Sequence, residues 1–298
     1  MDIKDFIMTE CTLCPRACGI DRSKNTGVCQ SGSLPKIARA ALHHWEEPCI
    51  SGDRGSGTVF FSGCSLKCVF CQNTDISHGN FGKTVTAERL REIFFELIEK
   101  GAHNINLVNP THWASPVLKA LEEPLPVPVV YNTGGYDKVD TLRLFDGKIS
   151  IYLPDMKYAS GDIAAKYSKA ADYPEAAKAA IKEMFRQVGS YEIDDDGIMR
   201  RGVIIRHLIL PNNLENTFRV IDWVEKTFSS GQVLFSLMSQ FTPAGDLTDY
   251  PELQRRLTQD EYDLCYDYLA DSDIEDGFFQ ELSSAKEEYI PPFNLEGV

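Results

Sequence analysis

The sequence predicts an α/β fold built on a parallel sheet, with a cysteine-rich extension in front of it. Two observations carry that expectation. From about residue 57 to 243, strand-length apolar runs alternate with amphipathic helices, a pattern that implies parallel pairing through right-handed crossovers. Seven of the nine cysteines fall into two groups, Cys11, Cys14, Cys18 and Cys29, then Cys64, Cys68 and Cys71. The chain therefore divides into an extension (1–56), a core (57–243) and an acidic tail with one helix (244–298).

The extension is loop-like, and its one sustained periodicity covers residues 36–45. Strands are expected at 59–63, 105–109, 127–132, 149–153, 203–210 and 233–238, with helices between them at 87–100, 116–121, 139–145, 163–188 and 214–228. Thr86 is placed to cap the first helix, and Glu88 suits the positive end of its dipole. Leu90, Ile93, Phe94, Leu97 and Ile98 recur there at helical spacing. Ser115 with Pro116 reads as a cap and first helical position for the second. Pro174 breaks the long 163–188 segment, and residues 191–201, around Asp194-Asp195-Asp196-Gly197, read as a hairpin. In the tail, Thr258 and Glu261 form a capping-box pattern for a helix running to Leu269. Six parallel strands suggest a curved or partly closed α/β barrel, with a doubly wound sheet as the alternative.

Composition narrows the function. The net charge of −14 argues against a nucleic-acid partner, whose phosphates favour a basic face. Acidic residues such as Asp260-Glu261 and the 271–276 segment read as a solvated surface or an acidic docking site. No apolar run approaches the roughly 20 residues of a membrane-spanning helix. The opening Met1-Asp2-Ile3-Lys4-Asp5-Phe6 lacks a leader pattern, so a cytoplasmic protein is expected. Clustered cysteines in a reducing compartment point to metal binding or thiol chemistry, and Cys49 and Cys265 read as small hydrophobes.

The stretch Gly57-Thr58-Val59-Phe60-Phe61-Ser62-Gly63-Cys64-Ser65-Leu66-Lys67-Cys68-Val69-Phe70-Cys71-Gln72-Asn73 is a buried strand running into a C-x3-C-x2-C loop. Three thiolates in a compact loop can take three corners of one cubane and leave the fourth iron open, as catalytic metals keep a position open. The alternative is a zinc site completed by His78 or Cys49.

This loop resembles the radical S-adenosylmethionine signature C-x3-C-x-aromatic-C, with Phe70 at the aromatic position. Cys71-Gln72-Asn73 resembles the Cys-His-Asn ending of pyruvate formate-lyase activating enzymes, with Gln72 replacing His. The resemblance covers residues 57–243 and implies a partial (β/α)6 barrel, a [4Fe-4S] cluster on Cys64, Cys68 and Cys71, and S-adenosylmethionine as cofactor. It implies reductive cleavage of that cofactor to a 5′-deoxyadenosyl radical, with the electron supplied by flavodoxin or ferredoxin. The substrate it implies is the backbone glycine of a glycyl radical enzyme. Another protein or a small molecule is the alternative substrate, and a metal-binding module without turnover the alternative class.

Leu153-Pro154-Asp155-Met156-Lys157 resembles the activases' Asp-Leu-Lys segment, which turns Asp155 and Lys157 toward the cofactor. Tyr131-Asn132-Thr133-Gly134-Gly135-Tyr136 resembles their Asp-Thr-Asn-Gly segment, with Asn132 in place of the carboxylate on which a cation site would be built. Ile205-Arg206-His207 resembles the segment whose arginine lies near the methionine carboxylate. The family's Gly-Gly-Glu is absent, and Asn109-Pro110-Thr111-His112 stands in its place, with Asn109 and Thr111 expected to meet the cofactor. The C-x2-C-x3-C-x10-C set of Cys11, Cys14, Cys18 and Cys29 resembles the Cys-x-x-Cys-Pro-Arg opening of an activase-like branch. It reads either as a second metal or cluster site or as reduced, metal-free thiols.

Overall fold

The computed structural model describes residues 10–282 and 291–298, so the opening residues read above for a leader lie outside the described part. Its strands are β1 (Lys36–His43), β2 (Ser56–Phe61), β3 (Lys83–Thr84), β4 (Ile105–Val108), β5 (Val129–Thr133), β6 (Ile151–Pro154), β7 (Glu192–Ile193), β8 (Met199–Leu208), β9 (Leu234–Met238) and β10 (Gly277–Phe279). They form one sheet in the order β10-β9-β8-β6-β5-β4-β2-β1-β3, with β7 added on β8. All neighbours from β10 to β2 are parallel. The six expected strands are β2, β4, β5, β6, β8 and β9, in chain order across the sheet. A doubly wound sheet reverses its order at a switch point. This one does not, so every crossover steps the same way.

The extension contributes more than loop. Its periodic stretch is β1, which pairs antiparallel with β2 from Ile37↔Phe61 to His43↔Ser56. At the other terminus, residues 291–298 run beside β1: Leu295 N donates to Ala38 O (3.0 Å) and Ala40 N to Glu296 O (2.8 Å).

The helices are α1 (Pro48–Ser51), α2 (Thr74–Ser77), α3 (Ala87–Glu99), α4 (Ala114–Ala120), α5 (Val139–Arg143), α6 (Gly161–Ser168), α7 (Tyr173–Val188), α8 (Leu214–Thr227) and α9 (Gln259–Ala270). Thr86 caps α3 by accepting from Arg89 N, and the Thr258/Glu261 capping box starts α9. The expected break falls after Ser168, where Lys169 turns left-handed (φ 52°), and Pro174 sits in the first turn of α7. One start differs. Helix α4 begins at Ala114, straight out of a 3-10 turn at Thr111–Trp113, and Ser115 caps nothing. Pro116 still falls in the first turn, where its missing N–H costs no intrahelical bond.

Period-two alternation divides the buried strand residues between two faces. Val129, Tyr131, Tyr152, Val203, Ile205, Phe235 and Leu237 join the large core with the helices. Val130, Ile151, Leu153, Ile204 and Leu234 point the other way, against Cys49 and Ile50 of α1. Continuing that second face toward the C-terminal strand ends gives Asn132 after Val130 and Arg206 after Ile204. The polar site is thus placed by register.

Candidate functional site

Strand β2 is buried at every position and runs into Ser62-Gly63. Gly63 is left-handed (φ +85°), and a Cβ there would lie 2.4 Å from the Cys29 carbonyl oxygen. Only glycine lets the loop turn there, against the extension. The loop then carries Cys64, Cys68 and Cys71. Ser168 Oγ lies 3.0 Å from Cys68 Sγ and Ser77 Oγ 3.2 Å from Cys71 Sγ. Burial lifts the Cys64 thiol to about 12, and the neighbouring Cys68 and Cys71 add to that. Burial also raises Cys71, against the pull of the Lys157 ammonium. Such thiols are held as thiolates only with a positive group among them. The donor set suits an iron–sulfur core.

Beside this loop, four residues expected from sequence meet in one network at the C-terminal strand ends. Arg206 Nε is 2.9 Å from Asp155 Oδ1, and Arg206 Nη2 donates to Asn132 Oδ1 (2.7 Å). Lys157 Nζ donates to Asp155 Oδ2 (2.5 Å). Burial alone would raise the Asp155 carboxyl, but Arg206 and Lys157 more than reverse it and hold it below the usual range. Burial likewise works against Lys157 and Arg206, and Asp155 more than restores both cations. The network opens into a cavity of 190 Å³ bordered by Phe60, Gln72, Asn73, Val108, Asn132 and Arg206. Phe60 pairs with Val108, and Val108 with Asn132, across neighbouring strands, so the cavity lies over adjacent strand ends. This is where ligands bind in parallel α/β folds.

Three other expected residues serve differently. Asn109 is left-handed (φ 62°), and its Nδ2 donates to Gly63 O (3.3 Å), tying the β4 end to the cysteine loop. Thr111 is buried; its hydroxyl donates to Asp137 Oδ1, and the Tyr131 hydroxyl lies 3.0 Å away. That hydroxyl is therefore spent beneath the site. Phe70 is buried among aromatic rings, edge-on to Tyr167 (6.3 Å) and Phe241 (5.8 Å), and borders none of the polar network.

Cys11, Cys14, Cys18 and Cys29 border a separate small cavity with Arg22 and His112. Among the described residues, no three His, Cys, Asp or Glu side chains meet about one point as the ligands of a single ion do. All nine cysteines are free thiols, and Cys49 and Cys265 are buried.

Sequence reasoning missed Glu46. It follows β1, and its carboxylate reaches Arg206 Nη1 (3.2 Å) and Asn132 Nδ2 (3.0 Å). Glu47 is buried beside it and accepts from Ser236 Oγ (2.8 Å); burial raises its carboxyl despite Arg206. The one signal was a Glu-Glu pair ahead of Pro48 at the end of the only periodic run in the extension.

Residues 51–118, which contain the three-cysteine loop, match the model of the 4Fe-4S single cluster domain. The chain is 30% identical over 271 residues to uncharacterized protein MJ0674 of Methanocaldococcus jannaschii, across 88% of the chain and 74% of that protein. Among solved structures it is similar to Streptococcus suis SuiB bound to precursor peptide SuiA, at a TM-score of 0.47 and 14% identity over 87% of the chain. That match covers 52% of SuiB, so the chain spans about half of its length. It is also similar to methylornithine synthase (PylB), at a TM-score of 0.46 and 14% identity, over 89% of the chain and 76% of PylB.

Proposed function

The chain belongs to the family of the Methanocaldococcus jannaschii protein MJ0674, and we propose that it is a radical S-adenosylmethionine enzyme. The observation that carries this reading is the meeting of the C-x3-C-x2-C loop with the Arg206–Asp155–Lys157–Asn132 network at the C-terminal strand ends. The match of residues 51–118 to a 4Fe-4S domain supports it.

In this reading Cys64, Cys68 and Cys71 hold three irons of a [4Fe-4S] cluster, and S-adenosylmethionine binds beside it. Together these groups supply reductive carbon–sulfur cleavage and the 5′-deoxyadenosyl radical that abstracts hydrogen from substrate. The protein binds, orients and excludes water. Arg206 and Asn132 offer charge-assisted and neutral N–H donors to a carboxylate, the pairing that positions an amino-acid moiety. Asp155 fixes both cations, and Lys157 keeps positive charge beside the thiolates. Phe60 and Val108 form the apolar wall of the cavity. Nothing in this chemistry requires a side chain to act as general base.

The finer reading makes the substrate a backbone glycine of a glycyl radical enzyme, with flavodoxin or ferredoxin as the electron donor. Its support is the likeness of Cys71-Gln72-Asn73 and Asp155-Met156-Lys157 to the activase segments. The nine free thiols suit the reducing cytoplasm. Among the described residues no helix is long and apolar enough to cross a membrane.

The test is anaerobic reconstitution with iron and sulfide, then dithionite and S-adenosylmethionine, with 5′-deoxyadenosine assayed in the native protein and in Cys68→Ala. Product from the native protein alone is expected. A reduced cubane that yields none would overturn the reading. A glycyl radical signal in a co-incubated partner tests the substrate.

A further inference from the structure

A second group of thiols stands outside the proposed active site. We propose that Cys11, Cys14, Cys18 and Cys29 ligate a second, all-thiolate metal centre, a zinc ion or an iron–sulfur cluster, whose role is structural.

All four cysteines border one cavity, whose other walls include Leu13, Ile20 and Val28. Into this sulfur-rich space the chain places a buried guanidinium. Arg22 is 4% exposed; its Nε donates to Gly32 O (2.9 Å), and its Nη1 lies 3.8 Å from Cys11 Sγ. Its Nη2 has no partner, and no carboxylate pairs with it among the described residues. Arginine stays charged in proteins, and a buried charge without compensation is costly. The Trp113 ring, its centroid 5.4 Å from the guanidinium carbon, gives a cation–π contact, but four neutral thiols bring no counter-charge. Four thiolates on a dication, or on a cubane core of charge +2, carry −2, and Arg22 brings the site to −1. The orphaned N–H then has sulfur acceptors to meet.

A second buried polar side chain, His112, borders the cavity. It is 1% exposed, and its Nε2 faces the Ser62 carbonyl oxygen (2.9 Å), which can only accept. That fixes the proton on Nε2 and leaves Nδ1 with a lone pair, buried and unpartnered, on a residue that borders the same cavity. Of the two orphaned atoms, the Arg22 N–H is the one that thiolate sulfur satisfies; the His112 lone pair needs a donor, which an all-thiolate centre does not supply.

The backbone holds the thiols in place. Cys11 N donates to Ile20 O (2.9 Å), Gly19 N to Cys11 O (3.0 Å) and Ala17 N to Cys14 O (3.0 Å), closing a tight loop. The thiols ring the cavity. Among the described residues no three such side chains meet about one point, so a metal or cluster would draw the thiolates inward on binding. Arg16, two residues past Cys14, shows what such a centre would brace: its Nε donates to Ser65 O (2.9 Å) in the three-cysteine loop, and its Nη2 to Ser168 O (3.0 Å) at the end of α6.

The test removes the other cysteine loop first. The triple variant Cys64→Ala/Cys68→Ala/Cys71→Ala, made anaerobically, is analysed for zinc, iron and acid-labile sulfide, with X-ray absorption at the metal edge. About one zinc per chain with four sulfur neighbours, or about four irons with sulfide, is expected. Either is lost on adding Cys14→Ala and Cys29→Ala. A triple variant with native circular dichroism, no metal and its four remaining thiols free or oxidised would overturn the proposal. Should the added pair unfold the chain, Arg22→Gln in the triple variant decides. Chelator competition should strip its metal roughly tenfold more readily, and an unchanged release rate counts against the proposal. No readout depends on cofactor cleavage, so this proposal and the radical reading fail separately.

Discussion

Arg206 is bound to Glu46 across 160 residues of chain, Nη1 to Oε2 at 3.2 Å, while its other nitrogens hold Asp155 and Asn132. The extension thereby supplies one wall of the polar site. In the proposed reading Glu46 competes with the cofactor carboxylate for Arg206. Glu46→Gln removes that negative charge and keeps an oxygen for Asn132 Nδ2. It should tighten S-adenosylmethionine binding by about fivefold, roughly 1 kcal/mol, measured by calorimetric titration of the reconstituted protein. Weaker binding would mean that Glu46 itself holds the cofactor.

Phe70 separates packing from recognition. Its ring is buried against Tyr167 and Phe241. Phe70→Ala should cost about 3–5 kcal/mol through the cavity it leaves. Phe70→Leu, nearer in volume, should cost less than half as much and leave cofactor affinity within about twofold. Denaturant unfolding and titration of both variants check this. If Phe70→Leu loses affinity while staying stable, the ring touches the cofactor.

Acid sensitivity should trace in part to His207. Its Nδ1 faces Met156 O (2.6 Å) and its Nε2 the Thr217 hydroxyl (3.0 Å). Burial pulls it from 6.5 to about 4, and Lys157 pulls the same way. Between those values the unfolded chain binds a proton that the folded chain refuses. Stability is therefore full above about 6.5, falls as pH drops toward 4 and levels off below, by on the order of 3 kcal/mol. His207→Gln should flatten that slope in urea titrations run across the window. An unchanged slope would assign it to other groups.

The parallel strands were legible because each is a short apolar run bounded by turn residues, and the cysteine loop because thiol spacing is local. Asn132, Asp155, Lys157 and Arg206 were legible through a resemblance, and register then brings them together. Glu46 was not, because its meeting with Arg206 depends on β1 folding back onto β2, a pairing that nothing in residues 36–46 announces. The same holds for residues 291–298, whose place beside β1 follows from an open strand edge rather than from their own pattern. Thr111 shows the opposite error: a polar residue at the right loop looked available, and the buried Asp137 claims it.

Gly135 is the position at which the backbone itself sets the site. It is left-handed (φ +81°), and a Cβ there would lie 2.1 Å from the Asp155 carbonyl oxygen and 2.9 Å from the Tyr173 hydroxyl. That hydroxyl receives Lys157 N (2.8 Å) and lies 2.7 Å from Asp155 O, so it clamps the segment carrying both charged residues. Neither neighbour can give way without moving Asp155 and Lys157. Gly135→Ala should therefore cost about 2–4 kcal/mol, from left-handed strain and the backbone clash together. Cofactor affinity should fall at least about tenfold with it. Gly147→Ala is the control, because Gly147 is also left-handed (φ +76°) but has nothing within 4 Å of its would-be Cβ. It should lose only the strain energy, about 1 kcal/mol, and bind cofactor normally. Thermal denaturation and titration of the two variants decide the matter. Equal losses would mean that strain alone acts and that the Gly135 contact does not position Asp155.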